Sequence, residues 1–203
     1  MFSGIVSGYD RIVDIEVIDR VYRFTVELSN RKGLEQGASV AVNGVCLSVV
    51  SWDDKGVVFD AIEETLRLTN LGSLKIDDRV NTERSFKMGQ ELGGHVVSGH
   101  VDASVEVLRV DQQQNAVKVW YAMSEPLKKY LFVKGFVALD GCSLTLVDVE
   151  DDRFSVAYIP DTLTKTTHGA LEVGRLTNIE IDRQTQAIVN TVERVLAARE
   201  LVG

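Results

Sequence analysis

The stretch Gly93-Gly94-His95-Val96-Val97-Ser98-Gly99-His100-Val101-Asp102 lies near the middle of the chain and resembles the N-terminal residues. Its tripeptide Val97-Ser98-Gly99 repeats Val6-Ser7-Gly8, which stands 91 residues earlier. The same stretch holds two of the three histidines of the chain. We therefore interpret it as the opening of a second copy of one unit.

Three further pairs of motifs recur at a constant spacing of 97 residues: Asn43–Val50 with Asp140–Val147, Glu64–Leu66 with Asp161–Leu163, and Asn81–Glu83 with Asn178–Glu180. A period of this length is too long for a solenoid repeat, which spans roughly 20–50 residues. The pattern predicts a tandem duplication of one small domain. We place the domains at 1–90 and 91–183, followed by a terminal segment at 184–203.

Short β-rich runs, separated by Asp, Asn and Gly turn signals, fill both copies. Strands at this regular spacing are typical of a closed barrel or a sandwich, so the fold class is all-β. The last segment has no counterpart in the first copy: Thr185 to Leu201 has helical periodicity, with one stripe formed by Ile188, Val192, Val195, Leu196 and Arg199. That stripe must pack either on its own barrel or on a helix of another subunit.

Composition limits the classes of function. With 45% hydrophobic and 26% charged residues, the chain resembles an ordinary globular protein, and a net charge of −8 argues against a nucleic-acid partner. The start lacks a basic leader, and no stretch approaches the roughly 20 apolar residues of a membrane span. Two cysteines that are not repeat mates predict free thiols and a cytoplasmic protein.

The candidate chemical groups each have a plain structural alternative. His95 and His100 are five residues apart and have no C-x-x-C motif near them, so we expect no metal site. Cys46 is either a small buried apolar residue or a nucleophile. Asp182 suits a helix N-cap, and His168 suits a loop. Two barrels of one design suggest two related ligand sites, while duplication for stability alone is equally consistent with the pattern.

Six motifs together resemble riboflavin synthase of the α-subunit type, a family built from two lumazine-binding repeats. The motifs cover nearly the whole chain: Met1-Phe2-Ser3-Gly4-Ile5-Val6, Asn43-Gly44-Val45-Cys46-Leu47-Ser48, Glu64 to Gly72, Gly94 to Asp102, Lys134 to Thr145, and Ile159-Pro160-Asp161-Thr162-Leu163.

The resemblance implies two six-stranded Greek-key barrels and a C-terminal helix that holds a homotrimer. It implies an active site between the N-terminal barrel of one subunit and the C-terminal barrel of a neighbour. There two molecules of 6,7-dimethyl-8-ribityllumazine exchange a four-carbon unit, giving riboflavin and 5-amino-6-(D-ribitylamino)uracil. No cofactor is implied, because the pteridine ring itself delocalises the carbanion formed at the 7-methyl group.

The resemblance also locates the site residues. The first barrel would bind one ligand through Gly4, Ile5, Val6, Cys46, Leu47, Ser48, Asp60, Ala61, Ile62, Glu63, Glu64 and Thr65. The second would bind the other through Gly99, His100, Val101, Ser143, Leu144, Thr145, Ala157, Tyr158, Ile159, Pro160, Asp161 and Thr162. Lys134 would reach in from a neighbouring subunit, and Phe2 would help to close the site.

For catalysis, the resemblance favours His100 with Thr145 for proton transfer, and Cys46 with Ser39 beside the acceptor lumazine. Asp60, Asp140 and Asp182 would hold ribityl hydroxyls or shuttle protons.

One rival is a non-catalytic lumazine or flavin binder that serves as a luminescence antenna and has lost much of its second site. Another is a barrel pair without a ligand. Whether a lumazine synthase shell surrounds the trimer is left open by the sequence.

Overall fold

Alternation of apolar and polar residues builds six strands in the first half of the chain. The structure is a computed structural model that describes the backbone of residues 1–200 and the side chains of residues 1–199. The first strands are β1 (Gly8–Ile18), β2 (Val21–Val26), β3 (Ser39–Val42), β4 (Val45–Trp52), β5 (Val57–Ile62) and β6 (Arg79–Arg84). A short helix α1 (Glu63–Leu68) and a 3-10 turn (Asn70–Ser73) join β5 to β6.

The second half repeats this plan. Its strands are β7 (Ala103–Gln112), β8 (Val117–Ala122), β9 (Phe136–Leu139), β10 (Cys142–Val149), β11 (Arg153–Tyr158) and β12 (Leu176–Ile181). Its helices are α2 (Glu125–Lys128) and α3 (Pro160–Lys165), and a 3-10 turn (Thr167–Ala170) follows α3. The last element is the helix α4 (Arg183–Glu200).

Each set of six strands closes into an antiparallel barrel with the same order, β1-β2-β5-β4-β3-β6 and β7-β8-β11-β10-β9-β12. The predicted all-β fold with two duplicated Greek-key barrels is therefore confirmed. Inward side chains fill each barrel with its own apolar core, centred on Phe24 and Phe59 in the first and on Phe154 and Leu146 in the second.

The hairpin turns after β3 and β9 meet back to back between the barrels. Asn43-Gly44 and Asp140-Gly141 both have positive φ at their two central residues, as a tight two-residue hairpin requires. A Cβ on Gly44 would lie 2.6 Å from the backbone nitrogen of Gly141, so only glycine allows this approach.

A buried network of amides joins the barrels around these turns. Asn70 donates to the Asp140 carboxylate at 2.9 Å, and the side chain of Asn178 donates to the backbone carbonyl of Asn43 at 2.8 Å. Asn81 donates to the Asp140 carbonyl at 3.1 Å. All five residues are at least 95% buried, so the interface between the barrels is polar but largely satisfied.

The core of the second barrel contains polar side chains where the first barrel has apolar ones. His168, at the repeat position of Leu71, is 2% exposed. Its ring packs at a tilt against Tyr158, and its Nε2 donates to the Leu139 carbonyl at 3.1 Å. The expectation that His168 is a loop residue is therefore wrong: it sits in the 3-10 turn and faces the core. Burial lowers its pKa to about 4.

The terminal helix α4 leaves the second barrel with Asp182 as its N-cap, since the backbone N–H of Thr185 donates to the Asp182 carboxylate at 2.9 Å. This confirms the N-cap interpretation. Two links tie the helix to the barrel further along: Lys129 to Glu193 at 2.5 Å and Tyr130 to Asn190 at 2.5 Å. The predicted end of the helix at Leu201 lies outside the described residues.

Candidate functional site

Two crossing segments link the barrels on the outside of the sheets. In the first, Ser3 donates to Glu83 from both its backbone nitrogen and its hydroxyl, each at 2.7 Å, and the N–H of Gly4 donates to the same carboxylate. The carbonyl of Gly4 accepts a bond of 2.8 Å from the N–H of Ser143. This segment is thus anchored to β6 of its own barrel and to β10 of the other.

The second segment repeats this arrangement with the barrels exchanged. Ser98 and Gly99 donate three bonds of 2.7–2.9 Å to Glu180 on β12, and the Gly99 carbonyl accepts from the N–H of Cys46 at 2.8 Å. A Cβ on Gly99 would lie 2.5 Å from the Cβ of Cys46. Glycine with positive φ is therefore required at this crossing.

These bonds correct the alignment of the repeat. Ser3-Gly4-Ile5-Val6 corresponds to Ser98-Gly99-His100-Val101, a spacing of 95, because both sets contact equivalent glutamates. The match of Val97-Ser98-Gly99 with Val6-Ser7-Gly8 is a coincidence of small residues. His100 is thus the repeat mate of Ile5.

The crossing also corrects the grouping of the site residues. Gly4–Val6 lies on the second barrel, and Val6 packs in its core, whereas Gly99–Val101 lies on the first barrel, and Val101 packs against its core. The expected grouping followed sequence order and is wrong. Long-range hydrogen bonds decide it, and sequence order does not reveal them.

We call the first outer surface face one; it consists of Ser39, Cys46, Ser48, Asp60, Ile62 and His100. Ser39 pairs directly with Ser48 across β3 and β4, and Cys46 is half-buried beneath Gly99. Asp60, on neighbouring β5, accepts two bonds from Arg23, of 2.8 and 2.9 Å, and this hydrogen bonding lowers the pKa of the carboxyl group. Face one thus carries a thiol, two hydroxyls, an ionised carboxylate and an exposed imidazole.

We call the second outer surface face two; it consists of Ile5, His95, Phe136, Ser143, Thr145, Ala157 and Ile159. The Nδ1 atom of His95 lies 2.6 Å from the hydroxyl oxygen of Ser143, and the His95 ring stacks on Phe136 at 5.4 Å. Burial lowers the pKa of His95. A neutral imidazole paired with a hydroxyl can relay a proton.

His95 is the functional candidate that sequence reasoning missed. Its signal was present, because the motif Gly94-His95 belongs to the stretch that restarts the chain. Ser143, its partner, is the repeat mate of Cys46, so the two faces place different chemical groups at equivalent positions.

Strand alternation turns several expected binding residues inward. Leu47, Ala61, Leu144 and Tyr158 are buried in the barrel cores, so they can offer a ligand only their backbone atoms. The remaining residues of the expected ranges flank the faces at the starts of the short helices: Glu63, Glu64 and Thr65 in α1, and Pro160, Asp161 and Thr162 in α3. There Glu64 pairs with Arg67 and Asp161 with Lys165.

Asp140 lies away from both faces, whereas Phe2 lies next to face one, and its expected role in closing the site stays a prediction. Asp140 is fully buried between the barrels, and burial raises its pKa to about 6, so it has no access to a ribityl chain or to bulk protons. The ring of Phe2 is equally buried, in a cluster with Ala41, Val97 and Ala138 against which Cys46 packs. Since Ala41 pairs with Cys46 across β3 and β4, Phe2 lies beside face one on the same side of the sheet.

His100 and Thr145 lie on different faces of one chain, so their expected pairing in proton transfer would require a neighbouring subunit and stays a prediction. His100 sits beside Cys46 on the first barrel, and Thr145 lies on β10 of the second. Lys134 is exposed in the turn before β9, with a positive φ, and its reach into a neighbouring subunit stays a prediction.

Both faces are open surfaces. A cavity of about 900 Å³ lies in the groove between the barrels and is lined by none of the expected site residues. Within residues 1–200, no group of three or more His, Cys, Asp or Glu side chains is arranged to hold a metal ion. None of the helices in that same range combines the length and apolar character needed to cross a membrane.

Comparison with known proteins identifies the repeated unit. The family model described as the lumazine binding domain matches twice, at residues 3–85 and 98–182. Riboflavin synthase of Escherichia coli is 48% identical over 98% of this chain and 95% of its own length. The riboflavin synthases of Chlamydia pneumoniae, at 46%, and Schizosaccharomyces pombe, at 36%, align over 98% and 97% of the chain.

Solved structures agree with this assignment. LumP complexed with riboflavin superposes with a TM-score of 0.82 at 26% identity, covering 90% of this chain and all of LumP. LumP complexed with 6,7-dimethyl-8-(1'-D-ribityl) lumazine gives a TM-score of 0.81 at 24% identity, which supports the fold. With two lumazine-binding repeats and relatives up to 48% identical along nearly its full length, the chain belongs to the riboflavin synthase family.

Proposed function

We propose that the chain transfers a four-carbon unit between two molecules of 6,7-dimethyl-8-ribityllumazine, forming riboflavin and 5-amino-6-(D-ribitylamino)uracil. The observation that carries this proposal is the pair of faces: one framework is built twice, with different chemical groups at equivalent positions. That arrangement suits a reaction in which two copies of one ligand take different parts. An antenna protein needs only one such face.

The residues of the two faces have different roles in this proposal. The ring of the substrate stabilises the carbanion, so the protein needs to orient two rings and move protons. On face two, the neutral His95 with Ser143 accepts or returns a proton. On face one, Cys46, Ser39 and His100 surround the other ring, and Asp60, held ionised by Arg23, binds ribityl hydroxyls.

The two faces act together across subunits in this proposal. Within one chain they lie on different barrels, and each is open to solvent. Four apolar side chains of α4 remain exposed, from 49% at Val195 to 64% at Ile188, and so offer a surface for a second copy: Ile188, Val192, Val195 and Leu196. We infer a homotrimer through α4 that presents face one to face two of a neighbour, with the domain boundaries kept after residues 90 and 183.

Two finer points belong to the same proposal. Lys134 contacts the ligand held by a neighbouring subunit. Both cysteines are free thiols, which agrees with a cytoplasmic location.

Turnover tests the proposal directly. The purified protein is mixed with 6,7-dimethyl-8-ribityllumazine, and riboflavin formation is followed by absorbance. One riboflavin for every two lumazines consumed supports the proposal. Tight binding without riboflavin would overturn it in favour of the antenna class.

A pair of variants tests whether His100 on face one takes part in the reaction. His100→Ala removes the exposed imidazole and should lower kcat by about 10²–10⁴-fold if this group transfers a proton. Glu106→Gln changes an exposed carboxylate on β7, outside both faces, and should leave kcat unchanged. Full turnover by His100→Ala would remove His100 from the mechanism.

A further inference from the structure

Arg183, the first residue of α4, reaches back to the segment that carries His100. Its Nε donates to the hydroxyl of Ser98 at 3.2 Å, and its Nη2 donates to the backbone carbonyl of His100. Its guanidinium also lies 3.6 Å from Asp102 and 3.8 Å from Glu180. One side chain thus contacts the crossing segment at both ends.

The charges around Arg183 make this contact stable. The carboxylate of Glu180 is 4% exposed and accepts three bonds from the segment. Asp102, whose side chain is 17% exposed, accepts from the N–H of Ile181 and from Gln186. A planar guanidinium beside two poorly solvated carboxylates offsets their charge and fixes their geometry at once.

In the described part of the chain, no arginine side chain holds the first crossing segment in this way, and the positive charge near Glu83 is the N-terminal amino group. Phe86 stands at the repeat position of Arg183 and contributes only a backbone bond to Met1. The segment Ser3–Ile5 is held by Glu83 alone on its own barrel. The arginine therefore serves the segment that bears the imidazole, and not the one that bears Ile5.

We propose that Arg183 is a positioning residue that sets His100, and through the Gly99 carbonyl the strand of Cys46, on face one. This inference rests on the proposed function of that face. In this proposal α4 has two roles: its apolar side chains offer the surface for assembly, and its first residue, Arg183, orients the segment that carries His100.

The test compares Arg183→Met, Arg183→Lys and a matched control, Lys129→Met. Lys129 ties α4 to the barrel through Glu193 but contacts neither face. Arg183→Met should lower kcat by about 10–100-fold with KM changed less than threefold, because displacement of a catalytic group by about 1 Å has effects of that size. Arg183→Lys should restore part of kcat, and Lys129→Met should keep it within about twofold.

Hydrogen exchange of the ligand-free proteins gives a readout that does not depend on turnover. Arg183→Met should expose the amides of Ser98, Gly99 and His100 to faster exchange, while Lys129→Met should not. An Arg183→Met protein with unchanged exchange and unchanged kcat overturns the inference. Equal loss of kcat in Arg183→Met and Lys129→Met also overturns it, since that result reports general attachment of the helix. A wild type that never forms riboflavin overturns the proposed function instead, and the exchange data then decide the positioning alone.

Discussion

Replacing Gly99 with alanine tests the crossing of the two segments. The added Cβ would lie 2.5 Å from the Cβ of Cys46, where an ordinary carbon contact is about 3.5–4.0 Å, so one backbone must move by about 1 Å. The φ of +82° adds about 1–2 kcal/mol and overpacking adds about 1–3 kcal/mol. Gly99→Ala should therefore lower the free energy of unfolding by about 2–5 kcal/mol.

Two other glycines separate these contributions. Gly33 has a φ of +63° with no atom within 4 Å of its added Cβ, so Gly33→Ala should lower the free energy of unfolding by only about 1–2 kcal/mol. Gly4→Ala places its Cβ 2.6 Å from that of Ser143 and should match Gly99→Ala in stability.

Urea unfolding measures the stabilities, and the rate of thiol modification locates the damage. Cys142 is buried, so a thiol reagent in the native protein reports on Cys46. Gly99→Ala should change that rate more than Gly4→Ala does, because Gly4 is linked to Cys46 only through the neighbouring Phe2 cluster. If Gly99→Ala is no more destabilising than Gly33→Ala, or if Gly4→Ala changes the reactivity of Cys46 as much as Gly99→Ala does, the crossing of the two segments is refuted.

Three further outcomes are expected. Burial raises the pKa of Asp140 to about 6, above the value of about 3.9 in an unfolded chain, so the folded state binds a proton at this carboxyl group more tightly. The stability that this protonation contributes is therefore lost as the pH rises from about 4 to 6. The unfolding free energy of the wild type minus that of Asp140→Asn should therefore fall by up to about 2–3 kcal/mol in urea titrations across this window; a difference that grows with pH contradicts the assignment. His95→Gln should lower kcat by about 10²-fold or more with little change in lumazine affinity by fluorescence titration, and undiminished kcat would exclude His95 from proton transfer. Val192→Asp, in the exposed stripe of α4, should convert the assembly to monomers in light scattering and abolish turnover, whereas active monomers would refute the shared site.

Local signals in the sequence are sufficient to predict the barrels. The turns at Asn43-Gly44 and Asp140-Gly141 and the alternation in the strands each depend on a few neighbouring residues. The motifs that recur 97 residues apart are also short, so each copy can be recognised locally. The N-cap at Asp182 is equally local, and the structure confirms it.

The arrangement of the faces could not be predicted in this way. Cys46 meets Gly99, and Ser143 meets Gly4, through bonds between residues far apart in the chain. The recurring tripeptide Val-Ser-Gly indicates a spacing of 91 residues, which is wrong, because such short matches occur by chance. The contacts of Glu83 and Glu180 show instead that the segment at Ser3 is equivalent to the segment at Ser98. The inward position of His168 cannot be predicted for a related reason: the equivalent position in the first copy holds Leu71, and the polar core of the second barrel has no local signature in the sequence.

The amide network between the barrels has a consequence for how the two faces are oriented. An apolar contact tolerates small rotations, because it is nearly non-directional. Carboxamides that donate and accept along fixed directions are satisfied in one relative setting only, and a rotated pair would leave several of them buried without partners. Asn70, Asn81 and Asn178 therefore contribute mainly to orientation and less to adhesion. They fix the angle between the two barrels, and so between two outer faces that do not contact each other within one chain.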